Sequence, residues 1–259
     1  MSSERHGRLY LVPNGLGGDL SSAIPQGNLD TIHRLTYWIA ENPKSARDFL
    51  KRIGSPVPIQ TMKIEKLDKN TPPSAMADLL IPILSGTDAG IISEAGCPAV
   101  ADPGAELTRR AHNLCIQVIP FVGPSSIMMA LMASGLEGQR FHFHGYLPVD
   151  DELLAQRLLL LEQDSAEQQC TQIFIETPYR NQRLVKRLLS NLSPDTLLCI
   201  ACDLTLPSEA ISTKPVREWQ QKGPQVDDGH PAVFLFLARK RERAIAPSPR
   251  RGRKISPNR

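Results

Sequence analysis

Two turns rich in glycine, proline and serine, each following an apolar strand, constrain this chain most. They lie within residues 90–126, which read GIISEAGCPAVADPGAELTRRAHNLCIQVIPFVGPSS. The pattern predicts a short strand, a turn from Glu94 to Gly104, a helix over 105–114, a strand over 116–122 and a second turn. Such turns bring the backbone close to a ligand. In an open α/β sheet they lie beyond the carboxyl ends of the strands, where ligands bind.

Alternating strands and helices predict an α/β fold with two domains. The first half is expected to contain a strand at 8–12 and helices over 31–40, 45–53, 72–84 and 125–134, the last ended by Gly135. The second half is expected to contain strands at 141–146, 171–176, 196–203 and 232–238, with helices over 151–163 and 180–189. This order favours helices packed on the faces of a sheet. The predicted domains are residues 1–122 and 123–238.

The composition indicates a globular chain without a membrane span. Apolar residues make up 41% of its 259 residues, which is too many for a disordered protein. No window approaches 18 consecutive apolar residues, and the first 13 residues lack the apolar core of a signal peptide. We therefore expect a cytoplasmic enzyme that does not interact with a membrane.

Cysteines and histidines do not predict a metal site or a disulfide framework. The five cysteines are odd in number and irregularly spaced. Cys199 and Cys202 form a CxxC, but on a strand they point to opposite faces, so we interpret them as core residues. His142 and His144 share a strand face, but no third ligand lies near them in the sequence.

The charge is unevenly distributed along the chain. Residues 239–259 contain nine basic residues and one acid, whereas the rest contains 21 basic and 26 acidic residues. This tail has too little apolar content to fold, so it is predicted to be disordered. It is either an RNA-binding segment, since phosphates attract clustered Lys and Arg, or a solubilising terminus.

Several polar residues follow predicted strands and are candidate ligand contacts. Ser125 and Ser126 lie in G-P-S-S-I rather than G-x-S-x-G, so they fit a helix N-terminus that holds a polar ligand better than a nucleophile. Glu176, Asp203 and Glu209 lie at or soon after strand ends, where acids can face a cleft. Their alternative role is helix capping or pairing with nearby arginines.

Five sequence blocks together resemble a known family. They are ISEAGCPAVADPG, VIPFVGPSS, FHFHGYLP, FIETPYR and ACDLTLPSE, between residues 9 and 238. In this order and approximate spacing they resemble the tetrapyrrole methylase superfamily, and most of all its small-subunit rRNA (cytidine-2′-O)-methyltransferase branch. The resemblance implies a class III methyltransferase that binds S-adenosylmethionine in a cleft between two α/β domains. It also implies a homodimer and an rRNA substrate.

The resemblance also implies which residues form the site. Those expected to bind S-adenosylmethionine are Pro13, Ser93, Glu94, Ala95, Gly96, Pro98, Ser125, Ser126, Tyr179, Leu204 and Pro231. A ribose hydroxyl acceptor must lose its proton, and the candidate bases are Glu94, Asp102 and Glu176.

The chain departs from the rRNA branch in its first half. It reads PNGLGGDLSSAIPQGNLDTI where the branch has PTPIGNLxDIT, and Glu41-Asn42-Pro43-Lys44 where the branch has EDTR. These departures leave two alternatives open. One is a methyltransferase acting on a tetrapyrrole or another small molecule, and the other is a non-catalytic homologue that binds S-adenosylmethionine or RNA.

Overall fold

A computed structural model describes residues 6–223 and 226–240. The first half forms β1 (Arg8–Val12), α1 (Leu20–Ala23), α2 (Gln26–Ile32), β2 (Tyr37–Ala40), α3 (Pro43–Arg52), β3 (Lys63–Lys66), α4 (Pro73–Asp78), α5 (Ile81–Leu84), β4 (Ala89–Ile92), α6 (Gly104–Asn113) and β5 (Gln117–Pro120). The second half forms α7 (Ser126–Ser134), β6 (Phe141–Tyr146), α8 (Asp151–Gln168), β7 (Thr171–Ile175), α9 (Asn181–Asn191), β8 (Leu197–Cys202), β9 (Ala210–Pro215), α10 (Val216–Lys222) and β10 (Ala232–Leu237). Single 3₁₀ turns lie at Ile59–Thr61 and Pro178–Arg180.

The first half folds into a parallel five-stranded sheet in the order β3-β2-β4-β1-β5. Apolar side chains pack on both of its faces, one cluster around Trp38 and Phe49 and the other around Ile39 and Leu107. Coverage of both faces is typical of parallel sheets, and it confirms the predicted α/β fold. The carboxyl ends of β1, β2, β4 and β5 consequently meet at one edge.

Two of the predicted helices of this half are wrong. The helix expected over 31–40 is replaced by the end of α2 and by strand β2, whose four residues are all 3% exposed or less. A short apolar run buried on both faces has no periodicity that separates strand from helix. The helix expected over 72–84 is instead α4 and α5, because Pro82 has no N–H with which to continue α4.

The second half forms a mixed sheet in the order β6-β7-β10-β8-β9, in which only β6 and β7 are parallel. Helix α7 packs on one face, and α8, α9 and α10 contribute to the core on the other. The Ser125 hydroxyl caps α7 by accepting from Met128 N at 3.4 Å. Gly135 ends α7 with φ 68°, so the predicted C-terminal glycine is confirmed.

The two cysteines of the CxxC motif lie on opposite faces of strand β8, as predicted. Cys199 is fully buried beside Ala130 and Leu131, whereas Cys202 packs against the opposite core cluster. Burial, with smaller contributions from nearby Asp203 and Asp227, raises the pKa of Cys202 to about 11. These thiols are therefore protonated core residues rather than a reactive pair.

Two further predictions concern the chain as a whole. From residue 241 onward, the basic tail predicted at 239–259 lies outside the described residues. Among the described helices, none combines the length and the apolar composition that crossing a bilayer requires.

Candidate active site

A cleft of about 360 Å³ lies between the two sheets. Its lining comes from the carboxyl ends of β2 and β4, the N-terminus of α7, and the ends of β6, β7, β8 and β10. This is the position at which open α/β sheets bind ligands. The volume suits a ligand of the size of a small cofactor.

A wider depression of about 1270 Å³ lies elsewhere, at one end of the second sheet. Its Asp195 side chain pairs with Arg217 and lies 3.8 Å from Arg239. None of the predicted site residues lines it. We therefore take the cleft, which most of those residues line, as the candidate site.

Asn14 ties the loop after β1 to the loop after β4. The two backbones form a bridge, in which Asn14 N donates to Gly96 O at 2.9 Å and Gly96 N donates to Asn14 O at 3.1 Å. The buried Asn14 side chain donates to the carbonyls of Ser93 (3.3 Å) and Glu94 (2.9 Å) and accepts from Gly15 N (2.8 Å). This network fixes the 93–96 turn that forms one wall of the cleft.

The glycine-rich turn after β1 packs against the other half of the chain. A Cβ on Gly18 would lie 2.4 Å from the Thr205 carbonyl oxygen, so only glycine permits this approach. The Gly18 carbonyl also accepts from Arg52 Nη2 at 2.9 Å. This turn therefore joins the two halves beside the cleft.

Two predicted acids in the cleft accept hydrogen bonds, Glu94 from the N-terminus of α3 and Asp102 from the loop after β4 and the start of α6. Glu94 Oε1 accepts from Asn42 Nδ2 at 3.0 Å and from Ser45 Oγ at 3.3 Å. Asp102 Oδ1 accepts from the backbone N–H groups of Ala99 (3.2 Å) and Gly104 (2.7 Å). Both carboxylates therefore help to hold the loop after β4 in place.

The third predicted acid, Glu176, forms an ion pair. Its Oε1 lies 2.6 Å from Arg180 Nη2 and 3.0 Å from Arg180 Nε, and it also accepts from Thr177 N at 2.7 Å. The side chain is 7% exposed. This is the pairing that the sequence left open as an alternative role.

Asp203 and Glu209 brace a loop behind the cleft wall. Asp203 Oδ2 accepts from Ser208 Oγ at 2.8 Å and from His230 Nδ1 at 2.7 Å. Glu209 Oε2 accepts from Thr205 N at 2.7 Å. Neither acid is among the residues that line the cleft.

A fourth acid in the cleft, Glu41, was not predicted. It lies directly after β2 and lines the cleft. Burial raises the pKa of its carboxyl, and the nearby Asp102, Glu94 and Asp68 carboxylates raise it further. Among the described residues, none donates a hydrogen bond to Glu41 or pairs with it. The signal was its position at a strand end, which the predicted helix over 31–40 concealed.

Most of the residues predicted to bind the cofactor line the cleft together. They are Ser93, Glu94, Ala95, Gly96, Ser125, Ser126, Leu204 and Pro231, joined by Asp102 and Glu176. Three do not line it: Pro13 and Pro98 are buried beneath the loops, and Tyr179 is 70% exposed with its ring near Arg180. Pro178, the neighbour of Tyr179, lines the cleft instead.

The other lining residues were not among the site residues predicted individually. Apart from Glu41 and Pro178, they are Leu16, Cys97, Val100, Ala101, Ile127, Tyr146, Ile175, Ala201, Ala232 and Val233. Tyr146 belongs to the FHFHGYLP block, which could have suggested it. The strand residues Ala201, Ala232 and Val233 are small or apolar and resemble ordinary core.

The charge of the lining restricts the ligand. Among the described residues, four acids and no Lys, Arg or His line the cleft. Phosphate sites need cationic side chains or helix termini directed at the anion. An acidic lining with apolar walls favours a ligand that carries a positive charge beside an aromatic or aliphatic group.

Comparison with known proteins places the chain among methyltransferases. No family model matches it. Two similar curated proteins are both named ribosomal RNA small subunit methyltransferase I. The Vibrio cholerae protein is 30% identical over 212 residues, covering 81% of this chain and 69% of that protein. The Haemophilus influenzae protein is 28% identical over 232 residues, covering 88% and 78%.

Two solved structures share the fold. The methyltransferase CobJ aligns with a TM-score of 0.61 and 18% identity, over 90% of this chain and 94% of that one. The uroporphyrin-III-C-methyltransferase from Thermus thermophilus aligns with a TM-score of 0.52 and 20% identity, over 89% and 92%. The fold is thus that of the two-part α/β methyltransferases, as the resemblance implied.

Together, fold and cleft define a methyltransferase of the tetrapyrrole methylase type. At 30% identity over most of both sequences, the chain belongs to the ribosomal RNA small subunit methyltransferase I family. The resemblance inferred from the five sequence blocks is therefore confirmed.

Proposed function

We propose that the chain transfers a methyl group from S-adenosylmethionine, bound in the cleft, to a ribose 2′-hydroxyl of ribosomal RNA. The observation that carries the donor assignment is the cleft lining: among the described residues no cationic side chain lines it, and of its four acids Glu176 alone is paired with an arginine. A sulfonium is a cation, so this lining stabilises it, whereas it would repel a phosphate. The rRNA acceptor is supported by the names of the relatives and by the rRNA-branch sequence blocks.

The residues of the cleft fit such a donor. Backbone groups of the 93–96 turn and the hydroxyls of Ser125 and Ser126 line the cleft and would supply polar contacts for its amino acid and ribose parts. Ile175, Leu204 and Val233 would supply an apolar surface for an adenine ring. When bound, S-adenosylmethionine supplies a methyl group that is already activated by its sulfonium. The contribution of the protein is therefore positioning, charge and proton removal.

We assign proton removal to Glu41. A general base must accept a proton from the acceptor hydroxyl, and it works best when its pKa approaches the working pH. Glu41 combines a free carboxylate in the cleft with a raised pKa. Glu94, Asp102 and Glu176 already accept two or more hydrogen bonds each, so we assign them to holding the cleft walls.

The remaining assignments concern partners and organisation. We propose that residues 1–122 and 123–238 are the two domains and that the basic tail at 239–259 adds phosphate contacts to the RNA. Because ribosomal RNA is the proposed acceptor, we place the enzyme in the cytoplasm. We also propose a homodimer, supported by three exposed apolar side chains. They are Val122, four residues before α7, and Met128 and Met132 on α7, which are 73%, 44% and 81% exposed.

The test is methyl transfer with purified components. The chain is incubated with methyl-labelled S-adenosylmethionine and either small ribosomal subunits that lack 2′-O-methylation or a uroporphyrinogen-type tetrapyrrole. We expect label in the rRNA as 2′-O-methylribose, and labelling that is slower by about 10²- to 10⁴-fold with Glu41→Gln. Label only in the tetrapyrrole would establish the small-molecule alternative. Donor binding without labelled product would identify a non-catalytic homologue.

A further inference from the structure

A second polar cluster lies on the second sheet, away from the cleft. It joins His142 on β6, Asp164 on α8 and Cys170 just before β7. Their ligand atoms all lie within 4.8 Å of one another, and His142 Nδ1 is 3.4 Å from Asp164 Oδ2. His142 is four residues before Tyr146, which lines the cleft, so the cluster lies at most about 13 Å away along the strand, whose pairing is irregular between Phe143 and Tyr146.

The fold brings these three residues together from distant parts of the sequence. Parallel pairing of β6 with β7 sets His142 opposite Gln172, two residues after Cys170. Helix α8 packs over β7 and brings Asp164 above the same face of the sheet. Cys170 is buried and His142 is half exposed, so the cluster opens to solvent on the His142 side.

Gln172 holds the cluster in its arrangement. It is fully buried, and its amide nitrogen donates to Asp164 Oδ2 and to the Cys170 carbonyl, both at 3.1 Å. Its amide oxygen can only accept, so His144 Nε2 donates to it at 2.6 Å. Arg157 Nη2 lies 3.3 Å from the other ring nitrogen of His144. Partners of this kind typically orient the ligands of metal ions.

We propose that His142, Asp164 and Cys170 bind a zinc ion, with water as the fourth ligand. One imidazole, one carboxylate and one thiolate form a donor set that suits this borderline-soft cation. Tetrahedral bonds of about 2.0–2.3 Å place ligand atoms about 3.3–3.8 Å apart, so the three atoms, now within 4.8 Å of one another, need to approach by about 1.5 Å at most. The half-exposed His142 side chain provides that freedom.

Charge balance is consistent with a divalent cation. The carboxylate and a thiolate together neutralise Zn²⁺, and the thiol proton is released to solvent when the metal binds. Besides Asp164, the charged groups near the thiol are Arg140 and Glu137, which are opposite in sign. Since the site lies away from the cleft, the ion would fasten β6, β7 and α8 together rather than take part in methyl transfer.

The experiment is Co²⁺ and Zn²⁺ titration of the full-length chain after chelator treatment and dialysis. We expect one equivalent of Co²⁺ to produce a thiolate-to-cobalt charge-transfer absorption, and Zn²⁺ to displace it. Cys170→Ser should remove the absorption, and His142→Asn should weaken the affinity for the metal about tenfold or more. The matched control Cys115→Ser alters an exposed cysteine and should change neither the absorption nor the affinity.

Because Cys170 is buried, Asp164→Asn serves as a second variant that preserves side-chain shape. It must also weaken the affinity about tenfold or more. The assignment is overturned if the wild-type chain gives no charge-transfer absorption, if the absorption persists in Cys170→Ser, or if Asp164→Asn binds Zn²⁺ as tightly as the wild type. None of these outcomes depends on methyl transfer, so the proposed function is tested separately.

Discussion

Asn14→Ala is expected to destabilise the protein and to weaken donor binding, because one buried side chain holds the wall of the cleft. The substitution removes hydrogen bonds to Ser93 O (3.3 Å), Glu94 O (2.9 Å) and Gly15 N (2.8 Å). Asn14 is 7% exposed, so water cannot readily replace them. At about 1 kcal/mol for each bond, and more for a partner left unpaired, the loss is about 3 kcal/mol.

Urea unfolding measures this loss directly. We expect a lower midpoint with an unchanged m-value, and a fall in melting temperature of about 6–12 °C. The matched control is Asn28→Ala, which removes one exposed hydrogen bond to Val122 O and is expected to cost about 0.5 kcal/mol or less. Asn14→Asp is expected to be worse than Asn14→Ala, because it places a carboxylate oxygen against two carbonyl oxygens.

The same variants are to be examined by calorimetric titration with S-adenosylmethionine. Asn14→Ala is expected to bind the donor more weakly, since the 93–96 turn loses its anchor, whereas Asn28→Ala binds normally. If Asn14→Ala unfolds within about 0.5 kcal/mol of the wild type, the proposed role of the Asn14 network is wrong.

Two further substitutions and two further measurements test other residues of the protein. Glu41→Gln is expected to lower the rate of methyl transfer by about 10²- to 10⁴-fold, and full activity would exclude Glu41 as the base. The wild-type rate of methyl transfer should rise with pH as the Glu41 carboxyl, whose pKa is raised, loses its proton. Over the same pH range the wild type should lose stability relative to Glu41→Gln. The reason is that folded Glu41 holds its proton more tightly than unfolded Glu41 does. Ser125→Ala is expected to cost about 1 kcal/mol through loss of the α7 cap, and an unchanged urea midpoint would contradict that role. In native protein, iodoacetamide should modify exposed Cys115 and spare Cys202, whose pKa is raised to about 11. Peptide mass spectrometry measures the modification of each cysteine. Rapid modification of Cys202 would argue against a core position.

The parts of the fold that could be predicted are those in which a short run of residue types permits only one local backbone geometry. The turns at 93–104 and 123–126 could be predicted because glycine, proline and serine between apolar runs have few other uses. It failed for Tyr37–Ala40, where burial on both faces removes the alternation that identifies a strand. It also missed β3, since the edge strand KIEK has little apolar character.

Only part of the site could be predicted, because one wall of the cleft is a turn of distinctive composition and the other consists of ordinary strand residues. The turn after β4 has a recognisable composition, whereas Ala201 and Val233 on the opposite wall are ordinary strand residues. Glu41 was overlooked once its strand was assigned as helix. The zinc cluster could not be found from the sequence, because its members are up to 28 residues apart and meet only through sheet pairing and helix packing.

The central claim, that the cleft binds the methyl donor, is tested most directly by calorimetric titration of S-adenosylmethionine into the wild-type chain and into Ala95→Trp. Ala95 is an exposed residue of the cleft wall, so an indole there fills the cleft without disturbing the core. We predict that one donor molecule binds per wild-type chain. Ala95→Trp should melt at the same temperature but bind the donor at least about tenfold more weakly, which is a loss of about 1.4 kcal/mol in binding free energy. Equal affinity in the two proteins would show that the donor binds elsewhere.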